Sequence, residues 1–314
     1  APWHEKSRQL KWEGGLEAAA AAFLHEHGIH SVTVPGAFPL ICAEQMRAWG
    51  FKVTPCSGSL FPERAMKSEY EIGQLRKAER LTRQAMRTAE KLLAASSIGN
   101  DGILRHPENG KKMKSSHVRS EIETFLIARG AVPSHTIVAG GREAADPHQV
   151  GRGYLRAHQP MIIDIFPRLL ASGYWGDMTR TYVKGKASME LRKLYRTVRE
   201  GQDIGLSMVR DGAHGAKIHQ AITQHFASCG FFTGVRRGRQ AGFFHGTGHG
   251  VGLDVHEAPR ISICEDILRT GNVVTIEPGL YYPGLGGVRL EDMVAVRDDG
   301  CENLTRHPRH MEIP

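Results

Sequence analysis

The sequence has no CxxC pair, no apolar run of bilayer length, no low-complexity tract and no internal repeat at solenoid periods. Each absence excludes a class of protein. The five cysteines, Cys42, Cys56, Cys229, Cys264 and Cys301, are odd in number and scattered, so a disulfide framework is excluded and reduced thiols in a cytoplasmic protein are expected. A membrane helix needs about 18 to 20 apolar residues. The alanine run Ala18 to Ala22 is short and lies between Glu17 and Glu26, unlike a signal core, so no membrane partner is expected. The chain starts at Ala1 where a Met would be usual, from which we expect residues upstream to be missing and the N-terminal domain to be incomplete.

What is present is a globular composition over 314 residues, enough for one large or two unequal domains. Residues 15–56 alternate helix and strand signals: an Ala-rich helix ending near Gly28, SVTV at 31–34, a helix at 40–49, then FKVTP. A Pro- and Ser-containing stretch at 56–68 separates this small α/β unit from a long amphipathic helix with Ile72, Leu75, Ala85, Ala89 and Leu92 on one stripe. The expected domains are 1–68 and 69–314, and the larger one carries most of the net charge of +8. In it, helices are expected from Ser116 as cap, from Ser188, and around Ile218 to Phe226. Strand-like runs follow at 161–166, 173–183, 273–282 and 286–296. The fold class is α+β.

Each of those runs delivers an acid from a largely apolar setting: Asp164, Asp177, Glu277 and Glu291. A buried carboxylate must be neutralised, paired or metal-bound. Any one of them could be solvated at a strand end or paired with Arg180 or Arg289; four together point to cations. A further segment, HGTGHGVGLDVHEAPR at 245–260, sets His245, His249 and His256 among glycines. It lacks the GxGxxG spacing of a dinucleotide fingerprint, and taken alone it is a flexible loop with solvent histidines. Carboxylates plus imidazole suit Zn, Mn, Fe or Co, and four acids with one His suit two divalent ions better than one.

The order Asp164, DMTRT (177–181), GHGVGLDVHEAPR, EPGLYY from Glu277 and GVRLED ending at Asp292 resembles the pita-bread metallopeptidases, and within them the Xaa-Pro dipeptidases (prolidases) and Xaa-Pro aminopeptidases. The resemblance covers about residues 69–310. It implies a pita-bread (creatinase/aminopeptidase) catalytic domain behind a small N-terminal domain. It also implies that Asp164 and Asp177 hold one metal, His249 and Glu277 a second, with Asp177 and Glu291 bridging. Asp164 and Asp177 stand 13 apart, two more than the family's usual spacing. An even-numbered extension within 166–173 can be absorbed in a hairpin turn without flipping either side chain.

By the same resemblance the activity is hydrolysis of Xaa-Pro bonds, in dipeptides or at peptide N-termini, through a metal-bridging hydroxide. Glu277 would relay the proton, and His148 and His256 would stabilise the intermediate or assist the leaving group. His245 and Tyr281 would line the cleft, Arg260 would bind a dipeptide's free carboxylate, and Arg289 would orient a ligand carboxylate or contact substrate. His249 as a ligand implies loss of activity below about pH 6. The metal would be Mn above Co, Zn or Fe, and the assembly a homodimer. The alternatives are a non-catalytic binding protein on the same fold and a creatinase-like hydrolase. The basic clusters Lys111, Lys112 and Lys114, and Arg236, Arg237 and Arg239, lack interleaved aromatics and read as solvated loops, so no nucleic-acid partner is expected.

Overall fold

The computed structural model describes residues 2–236 and 238–314; Ala1, and Arg237 of the second basic cluster, lie outside the described residues. The chain divides into two compact units, Ala1–Pro62 and Glu63–Pro314.

In the first unit two parallel strands, Ser31–Val34 and Lys52–Pro55, run in register from Ser31 opposite Lys52 to Val34 opposite Pro55. Parallel pairing needs a crossover, and helix Leu40–Ala48 supplies it. Helix Leu16–Glu26 buries its small face, and Ala21, Ala43, Met46, Phe51 and Val53 form a core over which Trp12 stacks on Trp49 with centroids 5.2 Å apart. A further helix, Pro2–Gln9, had no sequence signal in our reading.

The second unit opens with helix Glu69–Ala95. Ser68 caps it: its Oγ accepts from the Glu71 N–H, and the Glu71 carboxylate accepts from the Ser68 N–H at 2.9 Å. Its core stripe ends on Leu93, with Leu92 only partly buried. The next helix is Ser115–Ile127, with its cap at Lys114, two residues earlier than expected: Ser116 lies inside the helix, and the Lys114 N–H donates to His117 Nδ1 at 3.1 Å. The reason is that Ser115 is drawn into the fold, its N–H donating to the Gly153 carbonyl at 3.0 Å. These two helices cover a four-stranded sheet in the order Glu312–Ile313, Met178–Lys184, Met161–Ile165, Ile137–Gly140.

Helices Met189–Met208, capped by Ser188, and Gly215–Ser228 form the second pair. Leu194, Val198, Ile218, Ile222 and Phe226 pack them against Val274, Ile276, Val294 and Val296 of a five-stranded antiparallel sheet. Its order is Glu257–Ile261, Gly248–Gly250, Val273–Ile276, Asp292–Arg297, Gly300–Asn303. A separate hairpin pairs Gly279–Tyr282 with Gly286–Arg289.

Here the sequence reading needs correction. The run 273–282 is not one strand but two in different sheets, broken at Glu277–Pro278, and the run 286–296 breaks at Leu290–Glu291. In 173–183 the strand begins only at Met178, and it runs on to Lys184. The broken runs stay apolar because both flanks are buried, so hydrophobicity alone does not show where the chain leaves one sheet for another.

The sheets are tied across these breaks. The Glu291 N–H donates to the Thr179 carbonyl at 3.0 Å, and Thr181 Oγ1 donates to the Arg289 carbonyl at 2.9 Å. Arg180, wholly buried, donates to the carbonyls of Glu291, His307 and Pro308 at 2.7, 2.9 and 3.1 Å and to Asp292 Oδ1 at 2.8 Å. Losing one partner of such a buried pair leaves a charge uncompensated, at a cost of roughly 3–5 kcal/mol. Arg180→Met is therefore expected to lower the urea midpoint by a corresponding amount; an unchanged midpoint would show that the arginine does not hold the sheets together.

Candidate metal centre

Asp164 lies within strand Met161–Ile165 and faces Thr179 across the antiparallel pair. Asp177 stands two before Thr179, just outside its strand, so both acids project to the same side of the sheet. The extension between them is taken up by a short strand, Arg168–Leu169, paired with Ala131–Val132, and parity is kept as expected. His249 sits at the centre of Gly248–Gly250, between two neighbouring strands. A Cβ at Gly248 would lie 1.9 Å from the Thr275 carbonyl oxygen, and one at Gly250 2.3 Å from that of Ala258. The flanking glycines thus let the strand close tightly enough to deliver the imidazole. Glu277 and Glu291 occupy the two strand breaks, where the chain turns from one sheet to another and its side chain is free to point between them.

These elements bring Asp177, His249 and Glu291 together, with one ligand atom of each within 4.8 Å of the others. His249 Nε2 lies 3.4 Å from Glu277 Oε1 and 3.7 Å from Asp177 Oδ2. Asp164 completes the wall of the same cleft, a cavity of about 390 Å³ that also receives His148, His245, His256, Arg260, Arg289, Ile137, Phe166 and Val255.

The electrostatics are lopsided. Four carboxylates share this buried space with one buried guanidinium, Arg289, whose Nη2 donates to Asp164 Oδ2 at 2.6 Å. Burial, and then the neighbouring carboxylates, push Asp177 and Glu291 well above the usual carboxylate range. Burial pushes Glu277 up to about 7. Asp164 Oδ1 is buried without a hydrogen-bond partner. An orphaned carboxylate oxygen beside a cluster of mutually repelling acids and an imidazole is the arrangement that divalent cations satisfy, so the donor set fits metal. Burial also holds His249 down to about 3 in the metal-free protein, so its ring is neutral there at pH 6.

Arg289 is held on several sides. Its guanidinium also donates to Thr179 Oγ1 at 3.1 Å, to the Tyr281 hydroxyl at 3.0 Å and to the Pro147 carbonyl at 3.2 Å. Tyr281 has no exposed surface and does not line the cleft as expected; its hydroxyl instead joins Arg289 to His245 Nε2 at 2.9 Å. Burial holds His245 down to about 3. His148 and His256 are exposed on the cleft rim, and the His256 ring stands edge-on to His249 with centroids 4.2 Å apart. Arg260 is exposed at the same rim, opposite His249 in register.

The sequence reading missed three residues around these acids. Thr179 Oγ1 donates to Glu291 Oε2 at 2.8 Å, and Thr275 Oγ1 accepts from the His249 N–H at 3.1 Å. Glu79, fully buried, accepts from the Asp177 N–H at 3.0 Å, and burial pushes it up to about 8. A signal for Glu79 existed: it falls four residues after Leu75 on the apolar stripe of its helix, where a charge is out of place.

The profile of metallopeptidase family M24 matches residues 73–298. The Xaa-Pro dipeptidase of Pyrococcus horikoshii is 32% identical over 251 residues, 79% of this chain and 64% of its own length. That of Pyrococcus furiosus is 30% identical over 233 residues, 73% of this chain and again 64% of its own length. Among solved structures, an Xaa-Pro dipeptidase from Bacillus anthracis superposes with a TM-score of 0.82 at 27% identity, covering 96% of this chain and 79% of that one. No described helix is long and apolar enough to cross a membrane. The chain belongs to metallopeptidase family M24, with its pita-bread fold and divalent-metal chemistry, and is by class a metallo-exopeptidase.

Proposed function

We propose that the chain hydrolyses Xaa-Pro bonds, with Asp164, Asp177, His249, Glu277 and Glu291 holding two divalent ions, manganese first among them. The observation that carries this reading is the convergence of those five side chains from two sheets and a hairpin on one cleft that holds a single buried counter-cation. The names of the relatives, Xaa-Pro dipeptidases among them, support the substrate class. When bound, such ions lower the pKa of a water and polarise a carbonyl.

The chain's own groups do the rest. Glu277, whose proton affinity in the metal-free protein lies near neutrality, is placed to take a proton from water and pass it to the leaving nitrogen. His148 and His256 on the rim are donors for a carbonyl oxygen that gains charge, and His245, whose two ring nitrogens are engaged by the Gly246 carbonyl and the Tyr281 hydroxyl, lines the cleft behind them. The apolar side chains Ile137, Phe166 and Val255 suit a proline ring. Arg260 forms no salt bridge among the described residues, so its planar fork is free for the carboxylate of a dipeptide. This favours dipeptides over longer chains. A homodimer, with 1–68 acting as a family-type N-terminal domain, belongs to the same reading.

A hydrolysis panel with added manganese tests it: Ala-Pro is expected to be cleaved, Ala-Ala not, and Glu291→Ala to abolish turnover. A folded, metal-loaded protein that cleaves no proline peptide would favour the non-catalytic reading. Losing a hydrogen bond to a charged group costs about 1.5–3 kcal/mol, so Arg260→Ala is expected to reduce kcat/KM for Ala-Pro by roughly 10- to 100-fold and to spare Ala-Pro-Ala. Equal losses on both would remove carboxylate recognition from its role.

The pH dependence of stability follows with a definite sign. Above about pH 6.5, the ordinary histidine value, His245 and His249 are neutral in the folded state and mostly neutral in the unfolded one. Glu277 and Glu79, with folded values of about 7 and about 8, still bind protons that the unfolded chain has lost. The metal-free protein is therefore expected to lose stability as pH rises from about 6.5 to 8. Bound cations offset that loss, so the rise in Tm on adding manganese should grow over the same window. Thermal scans in chelator and in manganese at several pH values check this, and a manganese effect that shrinks with pH would contradict it.

A further inference from the structure

Away from the catalytic cleft, the two helices that back the five-stranded sheet carry another set of metal-binding atoms. His225 and Cys229 are four residues apart at the end of helix Gly215–Ser228, so they project from the same side of it. Glu200 reaches them from the packed neighbour Met189–Met208. His225 Nε2 lies 3.2 Å from Glu200 Oε2 and 3.8 Å from Cys229 Sγ, and one ligand atom from each of the three lies within 4.8 Å of the others. The bland reading is an ion pair between Glu200 and His225, with a thiol nearby by accident of helical spacing.

The distances favour more. Zinc bonds of about 2.0–2.1 Å to nitrogen or oxygen and about 2.3 Å to sulfur, at tetrahedral angles, place N and O about 3.3 Å apart and N and S about 3.6 Å apart. The observed 3.2 and 3.8 Å are those edges to within a few tenths of an ångström. The three groups also differ in kind: thiolate, imidazole and carboxylate together are a borderline-soft set suited to zinc or cobalt rather than to calcium or magnesium. Glu200 is half exposed, which gives an ion a path in and leaves room for a water as fourth ligand. Arg196 Nε stands 3.9 Å from the other oxygen, Glu200 Oε1, so the pairing with arginine and a bond from Oε2 to a metal are compatible.

We propose that Glu200, His225 and Cys229 form a zinc site that clamps the two helices to each other, separate from the catalytic metals. The inference does not depend on the Xaa-Pro reading. Its ligands line no part of the catalytic cleft, and the catalytic donor set contains no sulfur.

That chemical difference supplies the test. With thiols kept reduced, the full-length protein is titrated with cobalt(II), and the near-ultraviolet charge-transfer band of a cobalt–thiolate bond is followed. This band cannot arise from the catalytic ligands. We expect it to saturate at one thiolate per chain, to vanish in Cys229→Ser, to persist in Cys264→Ser and Cys301→Ser, and to be displaced by zinc. Glu200→Gln, which keeps the size of the side chain, should weaken cobalt binding at this site by tenfold or more. Circular dichroism establishes that each variant is folded. The proposal is overturned if the wild-type protein shows no thiolate band, if the band survives in Cys229→Ser, or if Glu200→Gln binds cobalt as tightly as wild type. Peptide hydrolysis is read separately, so a failure of this site and a failure of the Xaa-Pro reading are distinguishable.

Discussion

Like charges held together out of water are the constraint around which the larger unit is built. Asp164, Asp177, Glu277 and Glu291 would each carry a penalty of several kcal/mol as isolated buried ions, and the protein supplies a single buried guanidinium among them. Arg289 is fixed by Thr179, Tyr281 and Pro147 and so holds Asp164 in place, but it cannot balance four charges. The remaining deficit of positive charge is what suits the site to the cations proposed for it. Asp177 and Glu291, both displaced toward protonation by burial and by neighbouring carboxylates, are two of the three residues whose ligand atoms all lie within 4.8 Å of one another.

The architecture explains how such a cluster is tolerated. Two acids come from adjacent strands of one sheet, the imidazole from the middle of another, and the two glutamates from the points where the chain crosses between sheets. Each side chain is aimed by backbone that is itself tied down, through the Thr179–Glu291 and Thr181–Arg289 hydrogen bonds and through buried Arg180. The helix pairs on the outer faces contribute the apolar burial that offsets the electrostatic cost at the centre.

Much of this was legible because it follows from local rules. Acids in apolar runs announce buried carboxylates, and Asp164 and Asp177 kept the parity that an even-numbered extension of the hairpin preserves. Gly248 and Gly250 marked close backbone passage, which the contacts to Thr275 and Ala258 account for. What could not be read has a common cause, which is dependence on residues distant in sequence. The breaks at Glu277 and Glu291 are invisible to hydrophobicity because both flanks are buried. Ser116 lost the cap because Ser115 is pulled toward Gly153. Tyr281 left the cleft wall because its hydroxyl is claimed by Arg289 and His245. Cys229 reads from sequence as one more reduced thiol, and only the packing of two helices sets it beside His225 and Glu200.

The most direct measurement of the central claim is calorimetric titration of manganese(II) into chelator-stripped protein at pH 8. The account predicts two ions bound per chain in the wild-type protein, and loss of at least one in a folded Glu291→Ala variant. Uptake of no manganese by the wild-type chain, or identical uptake by the variant, would contradict it.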